Sequence, residues 1–521
     1  MALANFFDKT ALGASQILLD YDRNSFESTL DNEVIAIVFG KNATHSHEGR
    51  TALDLLVRLA SRLYPKLQFV NIDGDEEFEK ELIKLAQQIN PRIELDIKLK
   101  PTITIVAGQI KQLQTENTFF VGSDGWTATY SIKSPLTFGD SLNPFGAGVA
   151  VCFVMANVFR KVFAKQLPSG DLDEDFSFSV LKLAKNAGNG KEKVLKETDL
   201  GDFTLAGIGA IGNGVLWSLK NNPLLTGNLC VIDKQEVELS NLQRYVITNQ
   251  DSVDKLKVDI AEDFLSSTGI KVTKSPKTWE EHVIQSNNYN LETVLVGVDS
   301  AEGRMAVQGT LPKTIFNAWT QTEAIGISRH LDFLADPCLV CLYIPRYERK
   351  HNFEIIAERL GIPEKGVMVR DYLADEKPVD MPFLKHVCGK DHRKLKKLKP
   401  FLGLSVEIFQ SKVVCGGILL PASGSDQEME VPMAFESALA GILLVAEMVI
   451  HAGAYRETPL STVSRMNLLR PLSDYINVKQ LKHHSGRCIC QDEDYREVYA
   501  NKWGIETKIS KPAIKLEKVT T

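Results

Sequence analysis

The sequence has no strong excess of charge of either sign and no unbroken apolar run of membrane length. Its 66 acidic and 60 basic residues leave a net charge of −6, which argues against nucleic acid as a principal partner. The apolar stretches 146–159 and 431–450 are too short or too interrupted to span a bilayer, since Glu436 and Glu447 lie inside the second. The N-terminus lacks the basic and apolar segments of a signal peptide. We therefore expect a cytoplasmic protein with no membrane partner.

Cysteine is scarce, with eight residues in a chain of 521. In the reducing cytoplasm, cysteines indicate metal binding or catalysis rather than disulfides. Cys152 and Cys230 fall in apolar runs and are expected to pack in the core. The hydrophobic content of 44% and charged content of 24% are ordinary for globular proteins, and the length predicts two to four domains.

A glycine-rich loop follows the short apolar run 203–206. Its glycines are Gly207, Gly209 and Gly212, in the pattern Gly-x-Gly-x-x-Gly. A glycine loop between a strand and a helix lets a phosphate approach backbone N–H groups at the helix N-terminus. Many nucleotide-binding proteins carry such a loop, so it predicts a nucleotide site without identifying the nucleotide.

Polar side chains follow the next two predicted strands of this region. Asp233, at a strand end, is placed to accept ribose hydroxyls, and Asn241, Arg244 and Lys257 add groups suited to a triphosphate. Asp299 ends a later apolar strand and is placed to hold Mg²⁺. A dinucleotide dehydrogenase needs the acid but not the phosphate cluster. A nicotinamide- or flavin-dependent oxidoreductase is therefore the remote alternative.

In this order, the motifs resemble the ThiF/MoeB superfamily, the adenylating enzymes that activate ubiquitin and its sulfur-carrier relatives. The steps of eleven residues from Asp233 to Arg244 and thirteen from Arg244 to Lys257 match the family pattern. The resemblance covers residues 196–345 and 405–455. Within the superfamily, the chain is most similar to bacterial activating enzymes of ubiquitin-like operons, including Bil-type antiviral systems.

The N-terminal third also has the pattern of an α/β domain, but without a glycine loop. Three buried strands and one amphipathic helix are predicted, at 34–39, 67–72, 102–106 and 49–63. Pro144 and Pro432 each precede a small-residue apolar helix, which is a faint internal repeat or simply two buried helices. Ubiquitin-activating enzymes pair an active adenylation half with an inactive one, and the resemblance implies both in this chain.

The predicted fold class is therefore α/β, with two Rossmann-like halves. The expected segments are an inactive adenylation-like domain (1–166), a linker (167–195), an ATP-binding adenylation domain (196–345), a helical insertion (346–400), the continued adenylation domain with a cysteine loop and zinc ligands (401–491), and a C-terminal tail (492–521).

Two close cysteine pairs lie far apart in the chain. Cys338 and Cys341 form the first pair, and Cys488 and Cys490 form the second. Four thiolates suit tetrahedral Zn²⁺ in a closed site. In the family, a structural zinc ties the ends of the adenylation domain together. A redox role for the first pair is the alternative.

Two further cysteines are candidate nucleophiles. Cys415 opens a loop toward the Pro432 helix, and in compact relatives the thioester cysteine lies on the loop before the equivalent helix. Cys388 lies in the predicted insertion, where His386, His392 and several lysines would favour a thiolate. The alternative for Cys415 is a small buried residue on a strand.

The resemblance implies two chemical steps. A carrier protein ending in glycine attacks the α-phosphate of ATP, with Arg244, Lys257 and Mg²⁺ on Asp299 stabilising the developing charge. A cysteine thiolate then displaces AMP to give a thioester. Relatives take an additional arginine from the partner half or subunit. Arg23 is a candidate donor, and a homodimer could supply such a group from its second subunit.

No motif for a fused conjugating domain is found, so the expected recipient of the thioester is a separate conjugating enzyme. The alternatives are a sulfur-carrier adenylyltransferase, a peptide-modifying adenylating enzyme, and a catalytically silent scaffold that uses the fold for protein binding.

Overall fold

Two α/β halves and a helical insertion make up the chain, as seen in a computed structural model. The structure describes residues 3–95, 98–110, 117–187, 193–287, 289–321, 324–344, 351–389, 391–415 and 431–506. The predicted loop that follows Cys415 lies outside these residues.

The N-terminal half is a seven-stranded sheet with its helices. Its strands are β1 (Ile35–Phe39), β2 (Leu67–Asn71), β3 (Ile103–Ala107), β4 (Thr118–Asp124), β5 (Thr127–Ser131), β6 (Phe176–Ser179) and β7 (Ala184–Lys185). Its helices are α1 (Phe7–Ile17), α2 (Arg23–Asn32), α3 (Lys41–His45), α4 (His47–Leu63), α5 (Glu76–Ile89) and α6 (Phe145–Val162). The strand order is β2-β1-β3-β4-β5-β6-β7, with parallel pairing up to β4 and antiparallel pairing after it.

The C-terminal half is an eight-stranded sheet. Its strands are β8 (Thr198–Ala206), β9 (Leu225–Ile232), β10 (Gly269–Ser275), β11 (Thr293–Val296), β12 (Thr314–Gln321), β13 (Ala324–His330), β14 (Val463–Met466) and β15 (Asn477–Val478). The strand order is β10-β9-β8-β11-β12-β13-β14-β15, parallel from β10 to β12 and antiparallel beyond.

The helices from residue 210 onward serve this half and the insertion. They are α7 (Ala210–Lys220), α8 (Lys257–Leu265), α9 (Trp279–Ser286), α10 (Ala301–Gly309), α11 (Val340–Tyr343), α12 (Asn352–Arg359), α13 (Gly366–Ala374), α14 (Met381–Cys388), α15 (His392–Leu398), α16 (Val406–Cys415), α17 (Ala434–Ala452) and α18 (Glu493–Trp503). Helices α12 to α16 form the insertion, which has a hydrophobic core of its own.

The two halves share one order of connections. Strands β2-β1-β3-β4 are arranged as β9-β8-β11-β12 are, and each set continues into three antiparallel strands. Helix α6 lies between β5 and β6 in the chain, as α17 lies between β13 and β14. The N-terminal half has no described counterpart of β10. The prediction of two Rossmann-like halves is confirmed.

The predicted repeat helices α6 and α17 pack against each other in a hydrophobic core that both halves share. Phe159 and Phe435 meet there with ring centroids 5.9 Å apart. Helix α17 also packs closely on α7, because a Cβ at Gly441 would lie 2.4 Å from the Ile211 carbonyl oxygen. By length and composition alone, α6 and α17 could each cross a membrane. The protein itself buries 89% of each apolar window, as it would bury any core helix.

Two predicted boundaries are wrong. Residues 167–195 are not simply a linker, because β6 and β7 extend the N-terminal sheet and Phe176 and Phe178 are buried there. The insertion does not end at residue 400. Helix α16 belongs to it, since Val406, Phe409 and Val413 pack in the insertion core.

The predicted C-terminal tail, 492–521, also contains an ordered element. In α18 the Tyr499 hydroxyl donates to the Lys313 carbonyl oxygen at 3.0 Å, and the Trp503 indole donates to the Leu311 carbonyl oxygen at 3.1 Å. This helix therefore belongs to the C-terminal half.

Candidate active site

The glycine loop joins β8 to α7, as predicted. Gly207 has φ of +89°, and a Cβ there would lie 3.1 Å from the Val298 nitrogen. A Cβ at Gly212 would lie 2.6 Å from the Gly207 oxygen, so both positions require glycine. Gly209 differs, because its Cβ would meet nothing closer than 3.7 Å. Gly209 is the N-cap of α7, where backbone N–H groups of a helix start can bind a phosphate.

Asp233 directly follows β9 and faces this loop. Its Oδ2 accepts a hydrogen bond from the Ile208 N–H at 2.8 Å, and its Oδ1 accepts one from the Gln235 N–H at 2.9 Å. A carboxylate has about four lone-pair positions, so these two bonds leave room for ribose hydroxyls. The carboxylate therefore both braces the glycine loop and retains capacity for a ligand.

Lys257 begins α8 and is brought to the same crevice. Its buried ammonium donates to the Gln235 Oε1 at 2.7 Å and to the Tyr245 hydroxyl at 3.1 Å, while Asp233 Oδ2 lies 3.8 Å away. Gln235 and Tyr245 were not predicted as site residues. The position of Tyr245 next to Arg244 was the one available signal in the sequence. Its hydroxyl also lies 4.0 Å from where a Cβ of Gly209 would be.

Arg244 follows the short 3-10 turn Leu239–Gln243 and is partly buried. Its recorded side-chain hydrogen bond is a long one, 3.4 Å to the Gln243 amide oxygen. Among the described residues, no carboxylate lies within ion-pair distance of it. Burial lowers the pKa of Arg244, and Tyr245 and Asp299 partly oppose that shift. Its guanidinium charge is therefore uncompensated by a direct ion pair.

Asp299 lies beyond β11 with an exposed side chain, close enough to Arg244 for their charges to interact. Its backbone oxygen accepts a 3.4 Å hydrogen bond from Arg304, which also bonds Asn317 at 3.2 Å. Arg304 thus ties α10 to β12 and holds the Asp299 turn. An exposed carboxylate at the end of a parallel strand suits Mg²⁺.

Asn241 is engaged locally. Its side-chain oxygen accepts from the Glu238 N–H at 3.0 Å as part of a capping box. This bond shapes the turn that presents Arg244. The phosphate contact predicted for Asn241 stays a prediction.

The four paired cysteines converge, although about 150 residues separate the pairs. The Cys338 and Cys341 sulfurs each lie 3.4 Å from that of Cys488, and the Cys341 and Cys490 sulfurs lie 3.5 Å apart. All four thiols are buried and lie within 4.8 Å of one another. Tetrahedral Zn–S bonds of about 2.3 Å place sulfurs roughly 3.8 Å apart. The cluster therefore fits a structural zinc that would tie α11 to the 488–490 segment.

The candidate nucleophiles both belong to the insertion. Cys415 is the last residue of α16 rather than the end of a strand. Cys388 is buried at the end of α14, and burial raises its pKa more than Lys394 lowers it. Burial thus opposes the thiolate that nearby Lys394 would favour, and a nucleophilic role for Cys388 stays a prediction.

Arg23, the candidate additional arginine, begins α2. It forms ion pairs with Asp8 at 2.5 Å and Glu27 at 2.8 Å. These partners belong to the N-terminal half, and a catalytic role for Arg23 stays a prediction.

In the corresponding crevice of the N-terminal half, two carboxylates accept hydrogen bonds from neighbouring residues of that half. Asp73, which follows β2, accepts from the Lys41 N–H at 3.0 Å, just as Asp233 accepts from Ile208. The buried Glu48 carboxylate accepts from Ser141 Oγ at 2.7 Å and from the Gly125 N–H at 3.0 Å. Glu48 lies in the first turn of α4, and its buried carboxylate disfavours an anionic phosphate beside it.

The fold and site define a nucleotide-type α/β protein, and comparisons with known proteins identify its family. Residues 184–360 match the ThiF family, and residues 38–164 match Prokaryotic E2 family C. An uncharacterized protein of Sinorhizobium fredii, y4jF, is 41% identical over 508 residues, which cover 97% of this chain and 98% of that protein. The chain belongs to the ThiF family of adenylating enzymes.

Solved structures show weaker similarity. E. coli MccB in complex with ATP is 16% identical with a TM-score of 0.35, and the match covers 57% of this chain and 68% of MccB. PaaA is 20% identical with a TM-score of 0.21, and the match covers 24% of this chain and 40% of PaaA. At these TM-scores, the similarity says nothing about substrates.

The E2 match disagrees with the prediction that no conjugating-type domain is fused to the chain. The same match relates the N-terminal half to conjugating-type proteins, whereas the sequence resemblance implied an inactive adenylation half. The sole cysteine of residues 38–164 is Cys152, which is fully buried in α6 and whose pKa is raised by burial. This half therefore offers no reactive cysteine for a thioester.

Proposed function

We propose that the chain uses ATP·Mg²⁺ to adenylate the C-terminal glycine of a ubiquitin-like protein and then forms a thioester with it on an enzyme cysteine. A conjugating enzyme would receive the thioester. The proposal extends to a cytoplasmic role in bacterial antiviral defence, as the sequence resemblance implies.

The environment of the Lys257 and Arg244 cations supports the adenylation step. Lys257 bonds the Tyr245 hydroxyl, which lies 4.0 Å from a Cβ placed on Gly209, and Arg244 directly precedes Tyr245. Among the described residues, neither cation donates a hydrogen bond to a carboxylate. Lys257 bonds neutral oxygens, with Asp233 at 3.8 Å, and the recorded side-chain hydrogen bond of Arg244 is the long one to Gln243. Arg244, which has no ion pair among the described residues, and Lys257, which donates no hydrogen bond to the Asp233 carboxylate at 3.8 Å, favour an anionic ligand. A triphosphate meets this requirement, with Asp233 left to hold the ribose.

In the first step, a carboxylate oxygen of the carrier attacks the α-phosphorus of ATP. The bond from that phosphorus to the bridging oxygen breaks, and pyrophosphate leaves with the electron pair. Arg244 and Lys257 stabilise charge on the phosphate oxygens, and the N–H groups at the start of α7 add to this field. Asp299 would hold Mg²⁺, which supplies further charge neutralisation when bound.

In the second step, a cysteine thiolate attacks the acyl carbon and AMP departs with the former acyl oxygen. The thiol proton passes to solvent before or during the attack. Cys415 is the proposed nucleophile and Cys388 the second candidate. Burial, which raises the pKa of Cys388 and disfavours its thiolate, supports that order.

Calorimetric binding tests the nucleotide assignment. We expect ATP to bind wild-type protein more tightly than NAD⁺, and Arg244→Met to weaken ATP binding without unfolding the protein. Preferential NAD⁺ binding would instead support the oxidoreductase alternative.

The carrier class is tested by product analysis. Transfer of the activated carrier to a conjugating protein supports the proposal. Transfer only to sulfide or to a small-molecule amine would replace it with a sulfur-carrier or peptide-modifying role.

A further inference from the structure

One face of α4 in the N-terminal half contacts two segments of the C-terminal half. These are α7, which follows the glycine loop, and residues 245–248, which follow Arg244. This face, the α4 stripe, consists of His47, Asp54, Arg58 and Arg62, which are seven, four and four residues apart. Such spacing aligns side chains along one side of a helix. The stripe therefore presents four polar groups to the other half.

The first two residues of the stripe hold the helix that follows the glycine loop. His47 Nε2 donates to the Asn221 carbonyl oxygen at 2.7 Å, at the C-cap of α7. Asp54 Oδ2 accepts from the Trp217 indole N–H at 2.8 Å, within α7. These bonds fix α7 relative to α4.

The two arginines of the stripe hold the backbone that follows Arg244. Arg62 donates to the carbonyl oxygens of Tyr245 at 2.7 Å and Thr248 at 2.6 Å. Arg58 donates to the Val246 oxygen at 3.1 Å. Three carbonyls of a four-residue segment are thus held from the other half.

Arg62 is 2% exposed, and the described residues place no carboxylate within ion-pair distance of it. Its recorded hydrogen-bond partners are carbonyl oxygens, including that of Arg58 on its own helix. Burying a guanidinium without a carboxylate costs free energy. The Arg62 side chain is therefore fixed by its hydrogen bonds to the 245–248 backbone and is not a solvated surface group.

Residues 245–248 adjoin both candidate phosphate-binding cations. Tyr245 follows Arg244 in the chain, and its hydroxyl accepts from Lys257. A bond to the Tyr245 backbone oxygen thus constrains both Arg244 and the residue that orients Lys257. In contrast, Asp233, the ribose candidate, is held by its own loop contacts.

We propose that Arg62 is a positioning residue for the triphosphate, through which the N-terminal half sets the geometry of Arg244 and Lys257. This inference rests on the proposed function. It gives the N-terminal half a part in ATP activation that requires no nucleotide and no cysteine of its own.

The test compares ATP and adenosine affinities of the full-length protein by calorimetry. Arg62→Met should weaken ATP binding by about tenfold, because displaced cations lose their alignment with the phosphates. Adenosine binding should change little, since the ribose contact at Asp233 is independent of α4. Arg62→Lys, which keeps the charge and can reach one carbonyl, should recover part of the ATP affinity. Loss of fold stability alone would not change the ratio of the two affinities.

Arg50→Met is the matched control. Arg50 lies on the same helix, but its ion pairs with Asp75 and Glu81 are confined to the N-terminal half. The control should keep the wild-type ratio of affinities. If Arg62→Met does not fold, Arg58→Met and Arg62→Lys take its place.

An unchanged ratio in the folded Arg62 variants, or an equal loss in Arg50→Met, overturns the positioning role. Failure of the wild-type protein to bind ATP would refute the proposed function instead, so the two failures are distinguishable.

Discussion

Lys257 and Asp233 face each other across the crevice with 3.8 Å between Nζ and Oδ2, which is too long for a hydrogen bond. The lysine instead bonds neutral oxygens of Gln235 and Tyr245. This separation agrees with the proposed roles, in which Asp233 would hold the ribose and Lys257 would contact a phosphate.

The first prediction concerns the metal. Asp299→Asn should lower adenylation by roughly 100-fold or more, because Mg²⁺ would lose its carboxylate ligand. The thermal midpoint should stay near that of the wild type, since the side chain is exposed. Glu302→Gln, an exposed acid three residues on, should leave activity intact. Normal activity in a folded Asp299→Asn protein would remove this residue from the metal site.

The second prediction concerns zinc. Cys338→Ser should lower zinc content by elemental analysis and also the melting temperature, because closed thiolate sites contribute directly to folding. Cys230→Ser, outside the cluster, should keep full zinc. A Cys338→Ser protein with full zinc occupancy would take Cys338 off the ligand set.

The third prediction concerns a buried ion-pair network. Glu447 of α17 accepts from Arg329 at 2.5 Å and Arg456 at 2.8 Å. Burial alone would raise the pKa of Glu447, but the two arginines outweigh it and lower the pKa to about 2. Because this lies below the unfolded value, the network stabilises fully above about pH 4.5 and is lost as pH falls toward 2.

Glu447→Gln should lower the free energy of unfolding by about 3–5 kcal/mol at pH 7, since it leaves buried arginines unpaired. The difference from wild type should shrink between pH 4.5 and 2, as denaturant titrations would show. Glu457→Gln is the control, because the Glu457 pair with Lys193 is long and exposed. Equal stability of wild type and Glu447→Gln at pH 7 would contradict this account.

The fourth prediction separates the two chemical steps. Cys415→Ala should retain ATP–pyrophosphate exchange but lose the enzyme–carrier adduct that reducing agents cleave on a gel. Cys388→Ala should keep both activities and lose some stability, because Cys388 packs in the insertion core. Loss of the adduct only in Cys388→Ala would assign the nucleophile to that residue.

Local motifs made much of the C-terminal half predictable. The run before Gly207 forms β8, and the glycine loop leads into α7. In the N-terminal half, the predicted strands at 34–39, 67–72 and 102–106 correspond to β1, β2 and β3. These features depend on short-range patterns of apolar residues and glycine.

Other features depend on contacts between distant segments, which a single sequence does not display. Strand β6 is recognisable only once Phe176 and Phe178 have a core to face. The assignment of α16 to the insertion likewise depends on packing. From the sequence, Arg62 is an ordinary charged residue of an amphipathic helix, and only the fold brings it to the Tyr245 carbonyl oxygen.

ATP–pyrophosphate exchange with a ubiquitin-like protein encoded by a neighbouring gene tests whether the chain adenylates such a carrier. The wild-type enzyme should catalyse exchange that requires this carrier and its C-terminal glycine. Lys257→Met should lose roughly 100-fold or more of this activity, because a phosphate-binding cation is removed. The exposed Lys255→Met control should not. Exchange that persists in Lys257→Met, or that ignores removal of the carrier's glycine, would contradict the account.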